Sequence, residues 1–128
     1  MNTDEGLQGE TSVTQEVIGA AYKVANYLGA GFLEKVYENA LSFELRRAGH
    51  AVEQQKAIEV WYETEMVGLY QADLVVDQEV VVELKAVATL DRMHRAQCLN
   101  YLRATRKRTG LVINFGNPRI EIQRVLSY

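Results

Sequence analysis

Hydrophobic residues recur with helical spacing in three parts of the chain. The first part predicts a helix that begins at Ser12 or Thr14 as its N-cap and ends before Gly29. Two further helices are predicted over 32–48 and 92–105 by the same spacing. The apolar stripe predicted for the second of these three helices consists of Leu33, Val36, Tyr37, Ala40, Leu41 and Leu45.

Runs of apolar residues, some alternating with polar ones, predict the strands. Ile58, Val60 and Tyr62 alternate with more polar neighbours, which is typical of a half-buried strand. The chain therefore belongs to the α/β class, and we expect a mixed sheet of four or five strands flanked by helices. The segments predicted as strands are 50–55, 57–63, 67–76, 80–85, 111–115 and 120–125.

Length and composition limit the kind of protein. The 128 residues, 48% of them hydrophobic, indicate one domain over 12–128 after a flexible tail at 1–11. No apolar run reaches the about 20 residues that a bilayer span needs, and we expect no signal peptide. The single cysteine, Cys98, excludes an internal disulfide and favours a reducing compartment, so we expect a cytoplasmic protein. Two histidines and one cysteine argue against a structural zinc site.

The segment 80–85 is an apolar strand that carries two opposite charges. Side chains alternate across a strand, so Glu83 and Lys85 point to one face. Taken alone, they are an ordinary ion pair on a solvated face. A three-residue turn at 77–79 would pair Val76 with Val80 and place Asp73 opposite Glu83 on that face, whereas a two-residue turn would separate the two carboxylates.

Charge is distributed unevenly along the chain. The net charge is −3, yet residues 91–108 carry six Lys/Arg against one Asp. Such a segment can form a phosphate-binding face, but charge alone favours an ordinary solvated helix surface. Asp91 is expected to cap the helix that begins there, and His94, Gln97 and Tyr101 form a polar stripe on it. Cys98 is expected to be a small buried residue.

Asp73 followed by Glu83-Leu84-Lys85 has the form of the D…(D/E)xK core of the PD-(D/E)XK nucleases. Glu34 precedes this core in a Gly-x-x-Glu motif, and Gln-x-x-x-Tyr follows it on a predicted helix. This order resembles the RecB-type nucleases of that superfamily. Residues 31–37 read GxxExxY, and the chain over 13–125 resembles the small bacterial GxxExxY protein family. The resemblance implies a restriction-endonuclease-like sheet and a single nuclease-like domain over 12–128.

The resemblance also implies a chemistry that suits these residue types. Asp73, Glu83, the Leu84 carbonyl and Glu34 would bind Mg²⁺ or Mn²⁺ through hard oxygen ligands. Lys85 would contact the attacking water and the scissile phosphate. The catalytic set is completed by two residues of the third helix, Gln97 and Tyr101. The residues expected to contact nucleic acid are Tyr37, His94, Arg95, Arg103, Arg106, Lys107 and Arg108.

Three functional hypotheses follow from the sequence. The first is a metal-dependent nuclease that acts on DNA, with RNA as the alternative substrate. The second is a catalytically inactive module that binds nucleic acid or a protein, because Gln71 and Ala25 stand where the GxxExxY family often has a basic residue and a histidine. The third is a structural domain with surface ion pairs. The small size of the domain also suggests a homodimer or a larger protein partner.

Overall fold

The structure is a computed structural model that describes residues 8–128, with side chains from residue 12. Most of the predicted tail, 1–7, lies outside the described residues. The first helix begins at residue 8, so Ser12 and Thr14 lie inside it and neither is its cap. The elements in chain order are α1 (Gln8–Leu28), α2 (Glu34–Arg47), β1 (Val52–Tyr62), β2 (Glu65–Val76), β3 (Val80–Lys85), α3 (Arg92–Thr105), β4 (Thr109–Asn114) and β5 (Glu121–Leu126).

The five strands form one mixed sheet in the order β1-β2-β3-β4-β5. Only β3 and β4 are parallel, and α3 connects them, as a parallel pair requires a crossover. The predicted α/β class, with a mixed sheet flanked by helices, is confirmed, and the sheet has five strands. The arrangement is consistent with a restriction-endonuclease-like fold. None of the described helices is long and apolar enough to cross a membrane.

Helices cover both faces of the sheet. On one face, α1 and α2 pack against Leu74, Val82 and Ile113. On the other face, α3 packs against Val81 and Val112. Strands β3 and β4 lie in the middle of the sheet and are almost entirely buried, which suits their β-branched and aliphatic residues. A polar side chain on β3 therefore lies in the protein interior unless it reaches the end of the strand.

The predicted strands 50–55 and 57–63 form one strand, β1, because a local irregularity does not break it. Gln55 adopts a left-handed backbone conformation with φ 52°, and the pairing with β2 passes from Gln54↔Leu74 to Lys56↔Ala72. The chain therefore stays in the sheet across the irregularity, and the side chain of Gln55 is redirected.

The apolar stripe predicted for α2 was only partly right. The helix begins at Glu34, so Leu33 is its N-cap and is 80% exposed, and Val36 is also exposed. The buried face follows the i, i+4 spacing of Tyr37, Leu41 and Leu45. The buried face begins one turn later than predicted, because Leu33 has an extended backbone before the first turn of α2 and its side chain does not lie on the helix face of Tyr37.

Strands β1 and β2 are about twice as long as β3 and extend beyond it as a hairpin. Ile58 is buried under α3 and Val60 is half-buried, whereas Tyr62 is exposed, so the predicted half-buried strand applies only to the first part of the hairpin. Its outer part presents large exposed side chains, namely Trp61, Tyr62, Met66, Val67, Leu69 and Tyr70.

A histidine connects α1 to the turn between β2 and β3. The ring of His50 contacts Asp77 through Nδ1 at 2.6 Å and Glu16 through Nε2. Asp77 also accepts a hydrogen bond from the Ala51 N–H at 2.8 Å. The hydrogen bond to Asp77 raises the pKa of His50 above its usual 6.5; burial opposes this shift, and Glu16 adds to it.

We predict that the stability of the protein falls as pH rises through the raised pKa of His50. A raised folded-state pKa contributes stability below the unfolded value of 6.5, and that contribution is lost as the ring deprotonates. Urea denaturation over a series of pH values should show this decrease in the parent and not in His50→Gln. Identical pH dependence of the two proteins would contradict the assignment.

Candidate active site

The site lies where β2 separates from β3. The ladder between them runs Val76↔Val80, Val75↔Val81 and Leu74↔Val82, and it stops there. The turn occupies 77–79, so the three-residue connection and the pairing of Val76 with Val80 are confirmed. In this register the next residues of the two strands are Asp73 and Glu83.

The side chain of Asp73 supplies a hydrogen-bond acceptor to β3 where its backbone pairing with β2 has ended. Its Oδ2 accepts a hydrogen bond from the Leu84 N–H at 2.7 Å, and its Oδ1 accepts one from Gln55 Nε2 at 3.1 Å. Burial raises the pKa of Asp73, while the hydrogen bonds from Leu84 and Gln55 act in the opposite direction. The carboxyl group is thus fixed against β3 by two donors.

Glu83 lies in the central strand and is 4% exposed. Its Oε2 is buried and has no hydrogen-bond partner among the described residues. Burial, and then the negative charge of Asp73, raise the pKa of Glu83 to about 8, against the opposing charge of Lys85. A carboxyl group held this way is only partly satisfied by the protein, because the backbone of Asp73 supplies one hydrogen bond while the buried Oε2 has no partner among the described residues.

Lys85 ends β3 and follows Glu83 by two residues, so both side chains point to the face that α3 covers. Lys85 is half-buried, and within residues 12–128 its ammonium group forms no ion pair and donates no hydrogen bond. The hypothesis of an ordinary ion pair on a solvated face is therefore wrong: Glu83 is buried, and the two groups interact through their charges without direct contact.

Helix α3 brings Tyr101 to the carboxyl pair. Tyr101 is 7% exposed, and burial, followed by the charge of Glu83, raises its pKa to about 12. Cys98 is fully buried as predicted, and its pKa is raised to about 12 by the same two causes. Gln97 is exposed one turn before Tyr101. The structure thus places Tyr101 near the pair and leaves the side chain of Gln97 open to solvent.

Asp91 caps α3 as predicted, and His94 completes the cap. The carboxylate of Asp91 accepts from the backbone N–H groups of Met93 and His94, and His94 Nδ1 accepts from the N–H of Asp91 at 3.1 Å. This reciprocal pair satisfies helix N–H groups that would otherwise have no partner. His94 therefore has a structural role at this end of the helix.

The prediction that Tyr37 contacts nucleic acid is wrong, because the side chain is completely buried. Its hydroxyl donates to the Gly29 carbonyl at 2.5 Å and accepts from the Phe32 N–H at 3.2 Å. Its ring stacks on Phe115 with 4.6 Å between ring centroids. Tyr37 thus holds the connection between α1 and α2 in place.

Glu34 and Glu38 lie one turn apart on α2 but have different surroundings. Glu34 is exposed, and its charge contributes to the raised pKa of Glu83. Glu38 is 4% exposed and accepts hydrogen bonds from Gln54 and Gln55, both at 2.8 Å, and from Lys35 at 3.0 Å. Gln55 therefore bridges Glu38 to Asp73.

Sequence reasoning missed Gln55 and the buried contacts of Glu38. The only available signal for Glu38 was its position four residues after Glu34, on the same side of the helix. No signal existed for Gln55, because its role depends on a left-handed backbone inside a continuous strand.

The basic residues gather near the end of α3. Arg103, Arg106 and Arg108 are exposed and form no ion pair within the described part of the chain. Two other cations hold the fold: Arg95 donates to the Arg124 carbonyl at 2.9 Å, and Lys107 donates to the Gln78 carbonyl at 2.8 Å. Arg106 adopts the left-handed conformation that ends the helix.

The family model of the PD-(D/E)XK nuclease superfamily matches residues 11–125. The chain belongs to this superfamily. Comparisons with curated proteins and with solved structures gave no match. Members of the superfamily are generally nucleases and typically use divalent metal ions, so the superfamily implies a nucleic-acid substrate.

The carboxyl pair fits the divalent cation that the PD-(D/E)XK superfamily implies. Two close carboxyl groups and one buried, unpartnered oxygen suit a hard cation such as Mg²⁺, which commonly uses one or two carboxylates and keeps several waters. The predicted cluster of three carboxylates is not formed: residues 12–128 contain no group of three or more Asp, Glu, His or Cys arranged around one point. Glu34 is exposed on α2 and acts on Glu83 through its charge without being part of such a group.

We predict that Glu83→Gln stabilises the metal-free protein and removes its response to metal. Above pH 8 the parent carries a buried carboxylate with one unpartnered oxygen, a charge that the amide lacks, so in EDTA the variant should be more stable by about 1–3 kcal/mol. Added Mn²⁺ should raise the melting temperature of the parent and not that of the variant. Thermal unfolding with and without metal measures both effects, and an equal rise in the two proteins would contradict the assignment.

Proposed function

We propose that the protein is a Mg²⁺- or Mn²⁺-dependent nuclease that hydrolyses phosphodiester bonds of DNA, with RNA as the alternative substrate. One observation carries the proposal: half-buried Asp73 lies opposite buried Glu83 at the separation of β2 and β3, and Lys85 follows two residues later on the same face. The chain's membership in a nuclease superfamily supports phosphodiester hydrolysis as the reaction at these residues. Over 12–128 we treat it as one nuclease-like domain, and its GxxExxY motif supports placing it in that family.

The carboxylates of Asp73 and Glu83, with the Leu84 carbonyl, would hold the cation, and Glu34 would reach it through water. The bound cation would lower the pKa of a water molecule and neutralise charge on the phosphate. Gln55 and the Leu84 N–H keep Asp73 in one orientation, so the ligand geometry is set before metal binds.

Lys85 is the proposed partner of the attacking water and the scissile phosphate. Its ammonium group has no competing ion pair in residues 12–128, and its charge already acts on both carboxyl groups. A positive charge there would favour hydroxide and stabilise the negative charge that develops in the transition state. Tyr101 and Gln97, on the facing helix, would orient the phosphate.

The backbone of the nucleic acid would be bound by the exposed cations at the end of α3, Arg103, Arg106 and Arg108, through sequence-independent contacts. Arg95 and Lys107 already bond within the fold and would contribute charge more than direct contacts, and His94 Nδ1 is already engaged in the cap of α3. A domain of this size encloses little of a substrate, so we propose a second copy or a larger partner in the active assembly.

We predict that Lys85→Ala lowers nuclease activity by about 100-fold or more, the loss typical of removing one charge-stabilising group. The assay measures cleavage of single-stranded DNA, duplex DNA and RNA with Mg²⁺ or Mn²⁺. Lys56→Ala is the matched control, because Lys56 is an exposed strand lysine whose ion pair among the described residues is with Glu53. Equal cleavage by Lys85→Ala and the parent would refute the role of Lys85 or reveal a contaminating nuclease.

We also predict that Arg103→Ala weakens binding to DNA of any sequence and reduces the slope of log affinity against log salt by about 1. Fluorescence anisotropy at several salt concentrations, in EDTA, measures both quantities. Arg47→Ala on α2, across the sheet, should leave the slope unchanged. A slope that is the same for Arg103→Ala and the parent would remove the end of α3 from the interface.

A further inference from the structure

A groove of about 560 Å³ runs between α3 and the β1–β2 hairpin. Its volume lies in the range of sites that hold a molecule the size of a nucleoside. One wall comes from the hairpin and the other from an exposed face of α3. The lining residues on the hairpin are Val60 and Tyr70, and the principal ones on α3 are Met93, Gln97, Asn100 and Tyr101.

Two tyrosines meet in this groove. The rings of Tyr70 and Tyr101 lie 5.6 Å apart between centroids, with 44° between their planes. Tyr70 is 49% exposed, so much of its ring is open to a ligand. Its ring reaches over Gly68, where an added Cβ would lie 3.3 Å from a ring carbon. The open face of Tyr70 is therefore a flat apolar surface at the mouth of the groove.

The helical wall presents polar groups at regular spacing. Gln97, Asn100 and Arg103 follow one another at intervals of three residues, so they share a face of α3, and all three are exposed. Neither amide makes a hydrogen bond within residues 12–128, and Arg103 forms no ion pair there. The wall thus offers free amide donors and acceptors beside a free cation.

The groove adjoins the carboxyl pair through Tyr101. This residue forms part of the groove wall, and it also packs in the buried cluster with Val81 of β3 and Cys98. A nucleotide whose base occupied the groove would place its phosphate near both Arg103 and the proposed catalytic residues.

We propose that this groove binds an unstacked nucleobase of the nucleic acid next to the scissile phosphate, which makes single strands and frayed ends the preferred substrate class. The inference rests on the proposed function for the identity of the ligand. An exposed aromatic face suits stacking of a base, free amides suit hydrogen bonds to its edge, and Arg103 suits the phosphate. A base stacked inside a duplex cannot enter such a groove.

The test measures binding in EDTA, so that cleavage plays no part. Tyr70→Leu, which keeps apolar volume and removes the ring, should weaken binding of a single-stranded oligonucleotide by about tenfold, as expected for one stacking side chain. Asn100→Ala should weaken it by a smaller factor. The matched control is Tyr27→Leu, since Tyr27 is 90% exposed on α1, which covers the other face of the sheet. A blunt duplex of equal length should bind more weakly than the single strand and be insensitive to Tyr70→Leu.

A second measurement locates the base directly. An oligonucleotide containing iodouracil should form a photo-crosslink to Tyr70 or Tyr101 of the parent. Parent-like affinity of Tyr70→Leu, or crosslinks that map only outside the groove, would overturn the inference.

The outcomes separate this inference from the proposed nuclease activity. A protein that binds single strands through Tyr70 and cleaves nothing with Mg²⁺ keeps the groove assignment and loses the nuclease proposal. A protein that cleaves single and double strands equally, with no effect of Tyr70→Leu, keeps the nuclease proposal and loses the groove assignment.

Discussion

The hydrogen bond from the Leu84 N–H to the Asp73 carboxylate is the contact on which the rest of the structure depends. Strands β2 and β3 stop pairing after Leu74↔Val82, in the interior of the sheet, where a backbone N–H without an acceptor would be costly. A side-chain oxygen takes the place of the missing carbonyl. The strands can therefore separate without losing a buried hydrogen bond, the hairpin can extend past β3, and the space between the hairpin and α3 opens beside the carboxyl pair.

The separation of β2 and β3 leaves two carboxyl groups side by side, and the hydrogen bonds of the protein satisfy them only in part. Glu83 lies inside the sheet because β3 is central, and Asp73 lies beside it because of the register. Gln55 and the Leu84 N–H satisfy Asp73, whereas one oxygen of Glu83 has no partner among the described residues. Perturbed carboxyl groups of this kind concentrate at functional sites, because a bound ligand supplies the charge that the fold does not. The raised pKa of Glu83 is thus a consequence of the same geometry that we propose as a cation site.

Four polar residues show how position in the fold separates structural from functional roles. Tyr37 and Tyr101 both belong to motifs that resemble nuclease motifs. Tyr37 is completely buried and stacks on Phe115, whereas Tyr101 lines the groove beside the carboxyl pair. Glu34 and Glu38 are one turn apart, but only Glu38 is buried and connected to Asp73, through Gln55. Residue type and spacing alone do not distinguish the members of either pair, since burial depends on which elements pack against each helix.

The sequence by itself determined the α/β class and the helix cap at Asp91, and it predicted a shared face of Asp73 and Glu83 on the condition of a three-residue turn at 77–79. These features depend on periodicity and on turn length, which act over a few residues. Only the tertiary structure decided that β1 continues through the left-handed Gln55, that the Tyr37 hydroxyl bonds to the connection between α1 and α2, that Glu34 is exposed, and that α3 and the hairpin enclose a groove. Each of these depends on contacts between segments distant in the chain, and no local pattern encodes such contacts.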